Sequence, residues 1–193
     1  MRTHMMTSVL TITGLAFAAA ANPHDGDFIV GVNGLGKLMI EADLDEAFYL
    51  PPFNAGGVVG WFGDDPGFAS LDEDEPGEDF YTLKTGADVW FVLVAVDPAF
   101  KVYDPFFNLM SPGDSFWLGG HEFDVHPFWH IDSADPAFDP ARTEWHATFR
   151  LIDLGGTGYG VSDDCRVAFT NVPTPGAGAL LVLAGTAWVR RRR

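Results

Sequence analysis

The chain has 193 residues, of which 47% are hydrophobic and 14% aromatic, a content that excludes a disordered polypeptide and suffices for a hydrophobic core. Residues 22–172 contain all 27 acidic residues but only six of the 11 basic ones, which gives this stretch a net charge of −21. Because such a charge repels phosphate groups, the composition excludes nucleic-acid binding and disfavours an anionic membrane surface.

The first segment, residues 1–21, predicts a secretory signal peptide that forms a helix. A weakly basic start precedes an apolar stretch from Val9 to Phe17, and three alanines at 19–21 form a small-residue cleavage site before Asn22. We therefore expect an exported protein whose mature form begins near Asn22.

Residues 22–172 predict an acidic all-β domain. Strands are expected where apolar residues are β-branched in runs or alternate with polar ones. These runs are Phe28–Val32, Lys37–Ala42, Val58–Phe62, Val89–Val96, Glu144–Leu151 and Arg166–Thr170. Val89–Val96 is apolar at every position, which predicts a central strand that is buried on both faces. Roughly seven to ten short strands predict a β-sandwich, jelly-roll or immunoglobulin-like in outline, whose strand order cannot be deduced.

The tetrapeptide Asp-Pro-x-Phe occurs four times, starting at Asp65, Asp97, Asp104 and Asp135. Asp accepts a hydrogen bond from the backbone two residues on, and Pro presets φ for a type I turn. The intervals are irregular, so we interpret the motif as repeated turn chemistry whose phenylalanine packs back onto the core.

The acidic run Asp72–Asp79 follows the first of these turns. Carboxylates are the ligands that calcium prefers, but the run lacks the ligand order of an EF-hand. Two interpretations remain open, a calcium site and a solvated acidic loop.

Histidines and carboxylates are concentrated between residues 121 and 146. If this segment forms a strand, alternate side chains share a face, and imidazole and carboxylate together suit zinc and other divalent transition metals. The candidate metal ligands are His121, Glu122, Asp124, His126, His130 and His146. Two interpretations remain open. The residues either bind a metal, as in a metal-binding protein or a metal-dependent enzyme, or form a hydrogen-bonded structural cluster. No cofactor is required by the sequence, and calcium and zinc are the ions that it suggests.

Tryptophans in the body offer a further possibility. Trp90 and Trp145 lie at inward-facing positions and are expected in the core. Trp117 and Trp129, next to glycine or proline, are candidates for a platform that stacks on sugar rings, as in a carbohydrate-binding module.

The sequence carries no nucleophile motif, and no catalytic residue is assigned. Cys165, the only cysteine, cannot form an intramolecular disulfide. We expect an unpaired thiol whose pKa the neighbouring Asp163 and Asp164 raise.

The last 21 residues predict a sorting tail. A proline-bounded motif is followed by 14 residues of apolar character (176–189) and then by four arginines. We expect the apolar residues to form a helix that is too short to span a membrane comfortably. The motif residues are Pro173, Thr174, Pro175, Arg190, Arg191, Arg192 and Arg193. This tail resembles the PEP-CTERM sorting signal of bacterial envelope proteins, with Thr174 in place of the glutamate. The resemblance implies export and C-terminal processing machinery as partners, transient membrane contact through the tail, and cleavage near Pro173–Pro175.

The body is similar, at His24–Asp27, His121–His126 and Trp145–His146, to bacterial choice-of-anchor surface β-domains. Together these features predict an exported protein of the cell envelope, outer surface or extracellular matrix. We expect a non-catalytic structural or adhesive domain, with extracellular polysaccharide as a candidate partner.

Overall fold

The computed structural model of the chain describes residues 26–173. The predicted signal helix, the predicted C-terminal helix and the sorting motif beyond Pro173 lie outside these residues and stay predictions. Within them the fold is all β, and no helix there is long and apolar enough to cross a membrane.

The described residues form thirteen strands. In chain order these are β1 (Phe28–Val32), β2 (Leu38–Glu41), β3 (Phe48–Tyr49), β4 (Pro52–Ala55), β5 (Val58–Gly63), β6 (Phe68–Ser70), β7 (Val89–Val96), β8 (Phe100–Tyr103), β9 (Ser115–Gly119), β10 (Asp124–Val125), β11 (Phe128–Asp132), β12 (Glu144–Asp153) and β13 (Cys165–Thr170). They make a first sheet in the order β10-β6-β1-β2, a second sheet β4-β5-β11-β8 and a five-stranded sheet β3-β13-β12-β7-β9. The pairs β1–β6 and β13–β3 are parallel and the other pairs are antiparallel.

The six strands named from the sequence lie within two residues of β1, β2, β5, β7, β12 and β13, but the total is thirteen rather than the expected seven to ten. In β12 the alternation puts Trp145, Ala147 and Phe149 in the core with no exposed surface, because side chains two residues apart share one face. In β7 the inward residues Val89 and Phe91 are also fully buried. The side chains on the other face of β7 are half-buried, because this face is covered less completely than the inner one. The prediction of a strand that is buried on both faces is therefore wrong.

Aromatic rings connect the three sheets through one core. Phe28 of β1 packs edge-on against Phe149 of β12 at 5.2 Å between ring centroids. Trp129 of β11 packs against Phe169 of β13 at 4.8 Å. The five-stranded sheet therefore contacts both four-stranded sheets through aromatic side chains. Burying rings of this size is the main stabilising contribution in a chain with one cysteine.

Three of the Asp-Pro-x-Phe motifs form hydrogen-bonded turns. The N–H groups of Phe100, Phe107 and Phe138 donate to the carbonyl oxygens of their motif aspartates at 3.1, 3.0 and 2.9 Å. At the Asp97 turn Ala99 has a φ of 62°, so this turn is type II rather than the expected type I. Phe107 remains 51% exposed, so its ring does not enter the main core as expected.

Candidate functional site

The predicted histidine cluster is divided among separate places. The expected strand through residues 121–126 is reduced to the two residues of β10, so its side chains do not alternate as assumed. His121 lies on the surface, 3.9 Å from the carboxylate of Glu122. His126, His130 and His146 each lie in a different environment, described below. The structure thus does not bring the six predicted ligands together.

His146 belongs to a structural ion-pair network, the His146 cluster, formed with Asp97 and Arg142. Oδ2 of Asp97 accepts hydrogen bonds from the backbone N–H of His146 at 2.8 Å and from Arg142, and Nδ1 of the ring lies 3.1 Å away. Nε2 of the ring lies 3.1 Å from the carboxylate of Glu144. Partial burial acts to raise the pKa of Asp97, but the hydrogen bonds from His146 and the charge of Arg142 outweigh it and lower the pKa.

His130 is buried under aromatic rings. It is 2% exposed, and Nε2 lies 3.1 Å from the carbonyl oxygen of Val59, to which it donates. Its ring meets Phe62 edge-on at 6.0 Å. Since the ring has so little exposed surface and its Nε2 is already used, His130 is placed as a packing residue rather than with the other predicted ligands.

His126 lies in a group of three ligand-type side chains, the His126 cluster, with Asp27 and Asp124. The ligand atoms of these three residues all lie within 4.8 Å of one another. Nε2 of His126 is 3.2 Å from Oδ1 of Asp124 and 3.9 Å from Oδ2 of Asp27. In the described part of the chain, this is the group of three or more such residues whose geometry could hold a metal ion.

The first sheet assembles the His126 cluster. Asp27 immediately precedes β1 and Asp124 begins β10, while β6 pairs with both of these strands. Gly67, just before β6, donates its N–H to Oδ1 of Asp27 at 2.7 Å. A Cβ on Gly67 would lie 2.5 Å from the imidazole of His126, so a glycine is needed for the ring to pack here.

The second nitrogen of the His126 ring faces a backbone carbonyl. Nδ1 lies 2.9 Å from the carbonyl oxygen of Asp64 and 3.5 Å from a carboxylate oxygen of Asp65. Partial burial acts to lower the pKa of His126. The hydrogen bond to Asp64 and the charges of Asp27, Asp124 and Asp65 outweigh that effect, so the pKa is raised.

Two members of the acidic run Asp72–Asp79 form internal hydrogen bonds. Asp74 accepts from the N–H and the hydroxyl of Thr82, both at 2.8 Å, and these bonds lower its pKa. Asp79 accepts from the N–H of Gly34 at 2.9 Å. These contacts explain two of the acids as loop-fixing residues, while the predicted calcium site remains a prediction.

The two tryptophans predicted to stack on sugars, Trp117 and Trp129, differ in their exposure to solvent. Trp129 has no exposed surface and its indole N–H donates to the carbonyl of Pro66 at 2.9 Å. It cannot present a ring face to a sugar, and the prediction for this residue is corrected. Trp117 is 56% exposed, with its indole N–H donating to Asp88 at 2.8 Å. Trp90, expected in the core, is only half-buried, on the opposite side of β7 from Phe91.

An aromatic surface that the sequence did not predict covers the solvent side of the second sheet. We call it the outer aromatic face, and its members are Phe53, Phe62, Tyr103, Phe107 and Phe128. The rings of Phe62 and Phe128 stack at 5.5 Å, and Phe107 packs on Phe128 at 4.4 Å. Phe53 and Phe107 remain 39% and 51% exposed. Sequence alternation in β11 could have indicated this face, because Phe128 lies opposite in orientation to Trp129.

Cys165 is a half-buried, unpaired thiol, as expected. Burial raises the pKa of Cys165 to about 11. The charges of Asp163 and Asp164 were expected to raise this pKa, but the cause is desolvation of the thiol by burial. The thiol is therefore a poor nucleophile.

No protein-family model, no curated protein and no solved structure matches this chain. The sites described above are therefore interpreted from their own geometry.

Proposed function

We propose that this protein is an exported, non-catalytic β-domain of the cell envelope or extracellular matrix that acts as a structural or adhesive component. The predicted signal peptide and the PEP-CTERM-like tail support export and sorting. The outer aromatic face is the observation that carries the adhesive role. Exposed apolar patches of this kind mark interaction sites on exported and soluble domains.

We further propose that the three sheets form a β-sandwich, with the five-stranded sheet as one layer and the two four-stranded sheets as the other. The ring contacts Phe28–Phe149 and Trp129–Phe169 support this arrangement. The parallel pairs β1–β6 and β13–β3 distinguish it from the antiparallel sheets of an immunoglobulin or jelly-roll domain.

The partner that best fits the outer aromatic face is a neutral polysaccharide. Ring faces are apolar and rigid, so they stack on the C–H faces of sugars at small entropic cost. The net charge of −21 on residues 22–172 repels acidic polysaccharides and a second copy of the same chain. Asp104 and Asn108, on either side of Phe107, hydrogen-bond to each other and fix the loop that presents its ring.

The use of polar side chains supports a non-catalytic role. Ser162 accepts from the N–H of Leu151 at 2.8 Å and donates to the carbonyl of Asp163 at 2.8 Å. Asp153 accepts from the N–H groups of Asp88 and Gly155. These residues hold loops and strand ends in place by hydrogen bonds that also account for their polarity.

Binding to insoluble neutral glucan, with alginate as the acidic comparison, tests the adhesive role. We expect the purified protein to sediment with the neutral polymer, and Phe107→Ser or Phe53→Ser to weaken binding by about fivefold, since each removes about 1 kcal/mol of apolar contact. Trp117→Ser is the matched control on the five-stranded sheet and should bind normally. Binding that is lost in Trp117→Ser and kept in Phe107→Ser would contradict the assignment to the outer aromatic face.

Export is tested separately by the intact mass of the protein recovered from the envelope and the medium. We expect a species that begins near Asn22 and ends near Val172. A mature form that retains both ends, with the full 21.0 kDa, would contradict processing.

A further inference from the structure

The tautomer of His126 can be deduced from its contacts. The carbonyl oxygen of Asp64, 2.9 Å from Nδ1, can only accept a hydrogen bond, so Nδ1 carries a proton. In the neutral ring Nε2 is then an unprotonated lone pair. That lone pair is directed at the carboxylate oxygens of Asp124 and Asp27, 3.2 and 3.9 Å away.

A lone pair facing two carboxylates is a favourable arrangement only when a cation lies between them. Three electron-rich atoms converge, and each repels the others unless positive charge compensates. A proton on Nε2 or a metal ion among the three atoms supplies it at the point where they meet. A ring nitrogen that donates to a backbone carbonyl while the other faces the ligand position is the arrangement typical of metal-bound histidines.

The spacing of the three atoms suits a small divalent ion. Zinc binds imidazole nitrogen and carboxylate oxygen at about 2.0–2.2 Å, so two ligands of a tetrahedral site lie about 3.3 Å apart. The pair His126–Asp124 is already at 3.2 Å and the pair His126–Asp27 is at 3.9 Å. The two carboxylates lie within 4.8 Å of each other, so a bound ion has to draw Asp27 and Asp124 closer together. Two carboxylates also balance the charge of a divalent ion.

We propose that Asp27, Asp124 and His126 bind one divalent transition-metal ion of the zinc type. The carboxylate of Asp27 is 8% exposed and is held by the N–H of Gly67, so this ligand is preorganised. Asp124 and His126 are 56% and 35% exposed, which leaves a path for the ion and an open coordination position for water. Calcium is disfavoured because it takes six to eight oxygen ligands and the His126 cluster offers an imidazole in place of oxygen.

The bound ion would fasten the edge of the first sheet. Asp27 immediately precedes β1, Asp124 is the first residue of the short edge strand β10, and His126 directly follows that strand. With two residues, β10 has few backbone hydrogen bonds of its own. An ion that joins it to β1 holds this edge in place, a role that does not depend on the proposed adhesion.

Calorimetric titration of zinc into the purified, metal-stripped full chain tests the site. We expect one saturable site, and Asp124→Asn or His126→Gln to weaken zinc binding at least tenfold. The matched control is His121→Gln, since His121 is an exposed histidine close in sequence and outside the His126 cluster. His121→Gln should bind zinc as the unaltered protein does.

Three results of the zinc titrations would overturn the proposal. These are an absence of saturable zinc binding, unchanged affinity in His126→Gln, or loss of affinity in His121→Gln instead. Asp124 is exposed, so Asp124→Asn keeps the test valid even where a change at the buried Asp27 alters folding. Binding of calcium and zinc with equal affinity would indicate screening of negative charge and would equally contradict a site built on imidazole.

Discussion

The His146 cluster and the His126 cluster both place an imidazole among carboxylates, yet their chemistry differs. At His146 the cation is part of the chain, since Arg142 binds Asp97, and its guanidinium also lies 5.5 Å from the ring of Trp145. Oδ2 of Asp97, the acceptor at its centre, receives hydrogen bonds from the side chain of Arg142 and from the backbone N–H of His146. Such a network stabilises the fold and has no need of an ion from solution.

The carboxylate of Asp124 in the His126 cluster differs in this respect from that of Asp97. Within residues 26–173 no lysine or arginine forms an ion pair with Asp124. The backbone carbonyl of Asp64 fixes the ring so that Nε2 faces Asp27 and Asp124. The types of residue present therefore do not distinguish a structural site from a binding site. The source of the positive charge distinguishes them.

The largest effect is expected on breaking the His146 cluster. Asp97→Ala removes the acceptor of Arg142 and of the backbone of His146, and should lower the free energy of unfolding by about 2–4 kcal/mol, measured by urea denaturation. Asp163→Asn is the control, because its ion pair with Lys37 is on the surface and should contribute less than about 1 kcal/mol. Equal, small effects in both variants would show that the network contributes little.

The His126 cluster should behave in the opposite way. Without metal, Asp124→Asn should change the free energy of unfolding by less than about 0.5 kcal/mol, since it removes an exposed charge from a crowded anionic corner. With zinc at about 100 times its Kd, the unaltered protein should gain about 2.7 kcal/mol and the variant should not. A metal-free protein that is strongly destabilised by Asp124→Asn would mean that the cluster is structural after all.

Acid should weaken the His146 cluster. The pKa of Asp97 is lowered in the folded state, so its stabilisation is present above the pKa of the unfolded chain, near 3.8, and is lost as the pH falls through the folded value. The groups around it are Arg142, His146 and, beyond the ring, Glu144. We therefore expect the difference in unfolding free energy between the unaltered protein and Asp97→Asn to shrink between pH 5 and pH 3. A difference that stays constant over this interval would contradict the shift.

The smallest effect concerns screening of the whole body. At −21, added salt should raise the melting temperature by a few degrees, because counter-ions reduce self-repulsion in the folded state. The increase at about 0.5 M NaCl should be the same in Asp124→Asn as in the unaltered protein, whereas the zinc effect should not be. Equal melting temperatures at low and high salt would show that the acids are placed where repulsion is weak.

Local patterns were sufficient to predict the long strands. In β12 and β13 strict alternation marks the buried face, and β1 is a β-branched run, so propensity and burial agree. Alternation also places the side chain of Trp129 in the core, on the same face of β11 as Ile131. Pro127 marks the start of β11, so this orientation was available from the sequence.

The sites themselves depend on contacts between distant segments. Asp27 reaches His126 only because β6 pairs in parallel with β1 and antiparallel with β10, and no local pattern encodes that order. The six predicted ligands were grouped by nearness in sequence, which failed once His121–His126 did not form a regular strand. The cation that distinguishes the His146 cluster comes from Arg142, in the loop before β12, and meets a turn aspartate after β7.

Crystals of the protein grown with zinc, measured on either side of the zinc absorption edge, test the central claim most directly. We expect an anomalous peak about 2.0–2.2 Å from Nε2 of His126 and from carboxylate oxygens of Asp27 and Asp124. A peak at the His146 cluster or at His121, with none at His126, would contradict it.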